Sequence, residues 1–137
     1  MSSETCGGPA IRVLIGAHDL RFARALQELL ESQDGIDVVA IAPDGVTTVV
    51  LAEQQSPDVV LVDLRLPPVD GLEAARRLQE AHVPAPVVLL LDDELPPDAA
   101  AGGTAGVRAY VRKGDAHATL LEVFRELLLL SPASTPS

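Results

Sequence analysis

Tryptophan is absent from this chain, and aromatic residues make up only 2% of it: Phe22, Tyr110 and Phe124. Any core must therefore be assembled from Val, Leu, Ile and Ala, which are plentiful, since hydrophobic residues reach 47%. Basic residues are also few. Ten Lys and Arg stand against twenty Asp and Glu, a formal net charge of −10 and a sequence pI near 4.5. That balance excludes the basic footprint of a nucleic-acid-binding surface, and an anionic membrane would repel it. The single cysteine, Cys6, cannot close an internal disulfide and reads as an incidental residue of a Gly/Ser-rich tail. Apolar runs such as Val87–Leu91 fall far below the ~20 residues of a spanning helix. No charged segment followed by an apolar run opens the chain, so no secretory leader is expected. A cytoplasmic, acidic domain is expected, and 137 residues suit one domain.

What is present is alternation. Residues 1–10 and 131–137 are small, polar and rich in Gly, Ser or Pro, and are expected to be a disordered tail and a linker or second tail. Between them, Ile11–Ile15, Ile36–Ala42, Val59–Val62, Val87–Leu91 and Ala109–Arg112 are short apolar runs consistent with buried strands. Helical spacing marks Leu20–Ser32, where Asp19 is the expected N-cap and Phe22, Ala23, Leu26, Leu29 and Leu30 share a face. It also marks Val46–Gln54, a poor helix former because of Thr47, Thr48, Val49 and Val50. Leu72–His82 and Thr119–Leu130 complete the set. Strands alternating with helices predict an α/β domain with a parallel sheet covered on both faces. Five strands suit the flavodoxin-like order 2-1-3-4-5, whose crevice lies at the carboxyl ends of the first and third strands. One unit breaks the pattern. Glu94–Gly106 holds two prolines and a Gly-Gly pair, so the fourth helix is expected to be short or frayed.

The residues at the strand ends carry the chemistry. "IRVLI", "PDVVLVDLRLPPVDGLEAARRL" and "GVRAYVRKGD" resemble a response-regulator receiver domain (CheY-like), and in detail the receivers of LuxR/NarL-type regulators. The resemblance spans residues 11–130 and is most specific around Asp63, with Pro67, Asp70 and Gly71 in their usual places. It implies that Asp63 is the phosphoacceptor equivalent, that Lys113 is the lysine pairing with it, and that Tyr110 is the switch aromatic.

Two elements depart from the family pattern. Ala17 and His18 stand where receivers carry two adjacent acids for Mg²⁺, and Leu91 stands where a Ser or Thr hydroxyl meets the phosphoryl group. Mg²⁺ demands oxygen ligands in near-octahedral array, whereas Ala17 offers none and the His18 imidazole suits zinc, copper or nickel. Phosphoryl transfer depends on neutralising charge at the transferred group. The expectation is thus an atypical receiver with no cofactor, weak or absent Mg²⁺ binding, and impaired phosphorylation of Asp63. An Asp63–Lys113 ion pair would replace part of the metal's role.

Two rival readings stay open. In the first, Asp63 is phosphorylated with Asp19, Asp92 or Asp93 as substitute acids; in the second, a small molecule binds above Asp63. No enzyme is expected, because there is no nucleophile–base pair, zinc-type cluster or phosphate-cradling glycine loop. The resemblance implies a sensor histidine kinase or another regulatory protein as partner, and a DNA-binding domain outside these residues. "LLEVFRELLLL" has more leucine than one buried face uses, so a homodimer through the last helix is expected.

Overall fold

The computed structural model describes residues 11–33, 35–66, 69–92, 107–115, 119–124 and 126. Five parallel strands form one sheet: β1 (Ile11–Gly16), β2 (Ile36–Ala42), β3 (Val59–Asp63), β4 (Val87–Leu91) and β5 (Val107–Arg112). Their order is β2-β1-β3-β4-β5, as the alternation predicts. Among the described residues three helices connect them: α1 (Leu20–Glu31), α2 (Gly45–Gln55) and α3 (Gly71–Glu80). Residues 119–124 are helical and close the described fold. The expected boundaries hold to within one or two residues, and β1 runs on to Gly16. The expected fourth helix, both termini and Leu127–Leu130 lie outside the described residues.

The sheet is buried on both sides, and each strand divides its residues between two cores. Val13, Ile15, Val59, Leu61, Val88 and Leu90 pack with Ala23, Leu26 and Leu30 of α1 and with Leu120 and Phe124. Leu14, Val60, Val62, Leu89 and Leu91 pack with Ala52 of α2 and Ala74, Ala75 and Leu78 of α3. Such strands show no polar face in sequence, which is why they read as continuous apolar runs. Each fully buried Leu or Val contributes about 1.5–3 kcal/mol of transfer free energy, so aliphatic side chains replace the missing aromatics by number.

Aspartates start α1, α2 and α3. Asp19 Oδ1 accepts from the Arg21 and Phe22 amides, Asp44 from the Thr47 amide, and Asp70 from the Glu73 amide. These caps satisfy N–H groups that lack an intrahelical partner. Helix α2, poor in intrinsic propensity, also gains a bond from the buried Thr48 hydroxyl to the Asp44 carbonyl (2.7 Å). Tertiary burial decides its helicity rather than residue preference.

Register brings the carboxyl ends of the inner strands level. Gly16 pairs with Val62, Asp63 with Leu90, and Leu91 with Arg112. One step further along each strand, Ala17 comes level with Asp63 and Asp92 with Lys113. The chain after β3 is held back against the sheet, with the Gly71 amide donating to the Leu64 carbonyl (2.9 Å). A Cβ at Gly71 would lie 2.6 Å from the Asp63 carbonyl oxygen and 2.8 Å from Leu89, so this approach requires glycine.

Candidate functional site at the carboxyl ends of the strands

Asp63 is the one charged side chain in the core among the described residues, 3% exposed at the end of β3. Both its carboxylate oxygens are engaged. Oδ1 accepts from the Arg65 backbone amide (2.9 Å), and Oδ2 meets Lys113 Nζ at 2.7 Å. The two-residue spacing from Asp63 to Arg65 folds the carboxylate onto its own following backbone, a local turn that aspartate favours.

Lys113 opens the short 3₁₀ turn Lys113–Asp115 immediately after β5. It is the single lysine of the chain. Its ammonium also contacts Asp92 Oδ1 at 3.0 Å and lies 5.0 Å from the Phe22 ring centroid, within cation–π range. Burial pulls the Lys113 pKa down, but hydrogen bonds and charge from Asp63 and Asp92 outweigh that and hold it above the ordinary 10.5.

Asp92 in turn meets Arg65 Nε through its other oxygen, at 3.1 Å. The contacts close into a ring: Asp63 carboxylate, Lys113 ammonium, Asp92 carboxylate, Arg65 guanidinium, and back through the Arg65 amide to Asp63. Two acids and two bases make the ring formally neutral. Burial grades across it, because the Asp63 and Lys113 side chains are 4% and 23% exposed whereas those of Asp92 and Arg65 are 41% and 78% exposed.

The β1 flank is different. Ala17 is buried in the core shared with α1, and His18 is exposed beside it. Leu91 is buried among α2 and α3 residues and serves as core. Tyr110 lies on β5 paired with Leu89, partly exposed. Of the acids considered as substitutes, Asp19 is committed to capping α1 and Asp92 to two cations. Asp93 and Pro67 lie outside the described residues.

Sequence reading missed Arg65 and the contact of Phe22 with the lysine. Signals for both exist: Arg65 is two residues from Asp63, and Phe22 is in the first turn of the helix that follows β1.

Fold and strand-end site define an α/β signalling module of the receiver class. Residues 13–125 match the family described as response regulator receiver domain, and the chain belongs to that family, which serves two-component signalling. It is 34% identical over 116 residues to the response regulator GacA of Pseudomonas viridiflava, covering 84% of this chain and 54% of that protein. It is 38% identical over 122 residues to protein-glutamate methylesterase/protein-glutamine glutaminase 5 of Myxococcus xanthus, covering 86% of this chain and 35% of that protein. Among solved structures, a LuxR-family two-component response regulator from Aurantimonas sp. SI85-9A1 superposes with a TM-score of 0.81 at 26% identity, covering 91% and 92% of the two chains. This chain spans about half or less of the two curated relatives. No described helix is long and apolar enough to cross a membrane.

Proposed function

We propose that this chain is an atypical receiver: a regulatory and protein-interaction module that works without an efficient Mg²⁺-dependent aspartyl phosphate at Asp63. The observation that carries the reading is the asymmetry around Asp63, with an alanine methyl and an exposed imidazole on the β1 side and a neutral ring of the chain's own charges on the β5 side. The residues present do not fit Mg²⁺. One carboxylate already occupied by Lys113 supplies too few oxygens, and Ala17 and Leu91 add only carbon. A divalent cation entering a ring that is already charge-neutral would meet Lys113 and Arg65 without a surplus of acids to offset them.

In this reading Asp63 keeps the phosphoacceptor position, Lys113 is its resident counter-ion, and Tyr110 is the residue through which a change at the site reaches the exposed side of β5. A histidine kinase or another regulatory protein is the upstream partner. The output is a domain outside residues 11–130, DNA-binding as in LuxR/NarL-type regulators, joined through the linker at 131–137. The last helix supplies the self-association face. The rival reading with substitute acids is not favoured, since Asp19 and Asp92 are both engaged elsewhere.

The test is an amide NMR titration with Mg²⁺ followed by beryllofluoride, which imitates a phosphoryl group on aspartate. The expected result is no saturable shift at Ala17, Asp63 or Lys113 up to millimolar Mg²⁺. Saturable shifts at Asp63 that spread to Tyr110 would overturn the reading and restore ordinary phosphorylation.

A further inference from the structure

The ring around Asp63 contains a second carboxylate, Asp92, which lies outside the Asp63–Lys113 pair. Asp92 belongs to β4's end, not to the Asp63 turn, yet it reaches both cations of the site: Lys113 at 3.0 Å and Arg65 at 3.1 Å. Each Asp92 oxygen takes one cation, so the carboxylate bridges them as a two-pronged anion. The site thereby places an oxyanion on Lys113 beside Asp63 even with nothing bound. Asp92 is also the half-exposed carboxylate of the ring, whereas Asp63 is nearly inaccessible. A side chain with one face in water is free to swing out at little desolvation cost, which the buried Asp63 is not.

From this geometry we infer that Lys113 and Arg65 form a seat for a small oxyanion, and that Asp92 is its tethered occupant, closing the seat against free carboxylate, phosphate or an acidic side chain of a partner. The inference rests on the reading that the site is held by its own charges. What it adds is the group, Asp92, that keeps an incoming anion off Lys113. When Asp92 leaves, Lys113 keeps Asp63 and the Phe22 ring but loses one of two carboxylates, and the Arg65 guanidinium loses its only described ion-pair partner. Two cations that both reach one carboxylate are the complement of a bidentate anion. The tether explains why the free anion does not enter: an attached carboxylate competes at an effective concentration far above that of a dissolved one.

The single lysine makes the seat directly readable. Lys113 and the α-amino group are the amines an N-hydroxysuccinimide ester acetylates, so peptide mass spectrometry of the labelled chain gives the Lys113 rate against an internal reference. The unprotonated amine is the reactive form. Each unit by which its pKa falls therefore raises the rate about tenfold at fixed pH. Asp92→Ala is expected to raise Lys113 labelling roughly three- to tenfold, with circular dichroism unchanged. Adding acetate or inorganic phosphate to Asp92→Ala then restores protection saturably, while the same anions leave the unsubstituted chain unaffected. Adding Arg65→Ala to Asp92→Ala weakens that restoration.

Should Asp92→Ala lose structure, Asp92→Asn removes the charge and keeps the shape, and the same rates apply. Labelling within about 1.5-fold of the unsubstituted chain in the folded variant, against the tenfold-per-unit scale, would sink the inference. Faster labelling that no anion reverses would sink it equally, reducing Asp92 to a neighbouring charge. These readouts contain no Mg²⁺. They fail independently of the Mg²⁺ titration, whose positive outcome would overturn the proposed function while leaving Lys113 labelling to decide the seat.

Discussion

The two flanks of Asp63 solve the same problem in opposite ways. Toward β1 the neighbours are Ala17, buried and apolar, and His18, exposed to water. Toward β4 and β5 they are Asp92 and Lys113, both in ion-pair contact. A buried carboxylate needs compensating charge and hydrogen bonds wherever they come from. Among the described residues that compensation comes from the β5 side and from the Arg65 amide, and the β1 side contributes packing. The lesson is that one strand end beside a buried acid can contribute only packing without loss of the fold, provided the neighbouring strand ends supply the charge.

The sharpest way to break this comparison is to remove the lysine. Lys113→Met leaves a nearly buried carboxylate without its cation and is expected to cost about 3 kcal/mol in urea unfolding at pH 7. The double variant Asp63→Asn/Lys113→Met removes the mismatch and is expected to recover most of that loss. An unchanged midpoint for Lys113→Met would show that the β5 flank does not compensate Asp63.

Glycine substitutions test the flanks sterically. Gly71→Ala drives a Cβ against the Asp63 carbonyl oxygen and the Leu64 Cα, backbone atoms that cannot turn aside. We expect about 2 kcal/mol of destabilisation. Gly16→Ala, at the end of β1, meets mainly the Thr48 and Val62 side chains, and about 1 kcal/mol is expected. Thermal denaturation of the pair checks the order, and the reverse order would place the more rigid packing on the β1 flank.

Restoring acids to the β1 flank should reverse the asymmetry. Ala17→Asp/His18→Asp is expected to acquire Mg²⁺-dependent stabilisation of about 1.4 kcal/mol at ten times its Kd, read as a Mg²⁺-dependent rise in Tm that the unsubstituted chain lacks. No rise in the double variant would mean that the flank lacks more than its acids.

A smaller effect concerns alkaline pH. The folded pKa of Lys113 lies above its ordinary value of 10.5. Its contribution to stability is therefore complete below 10.5 and is lost as pH rises through the folded value. The stability gap between the unsubstituted chain and Lys113→Met should accordingly narrow only above pH 10.5, as followed by chemical unfolding across that range. Smallest of all is Asp92→Asn, for which less than about 1 kcal/mol is expected because both its contacts are partly solvated.

Much of the fold was legible because periodicity and burial agree. The apolar runs of β1, β3 and β4 read as strands buried on both faces, and the α1 pattern of Ala23, Leu26 and Leu30 matches the helix face that is buried. Capping by Asp19 was legible too, since aspartate before an amphipathic run has a local reason to be there. Other features had no local signal. Helix α2 forms despite its β-branched residues because Thr48 and Ala52 are buried against the sheet. At the opposite, amino-terminal end of the sheet, Arg12 of β1 donates to the Gln55 and Ser56 carbonyls at the end of α2, a long-range contact that nothing near Arg12 announces. Within the site, Asp63 and Lys113 were legible by resemblance. The bridging role of Asp92 was not, because it depends on β3 and β5, after which Arg65 and Lys113 follow, flanking β4 in the sheet.

The sequence by itself determined the alternation of strands and helices and the aliphatic character of the core. These follow from side-chain chemistry and from spacing along the chain. Only the tertiary structure decided how the remaining charges are paired. Parallel register sets the ends of β3, β4 and β5 side by side, and ion pairing falls off so steeply with distance and solvent exposure that a few ångströms of register select which acid meets which base.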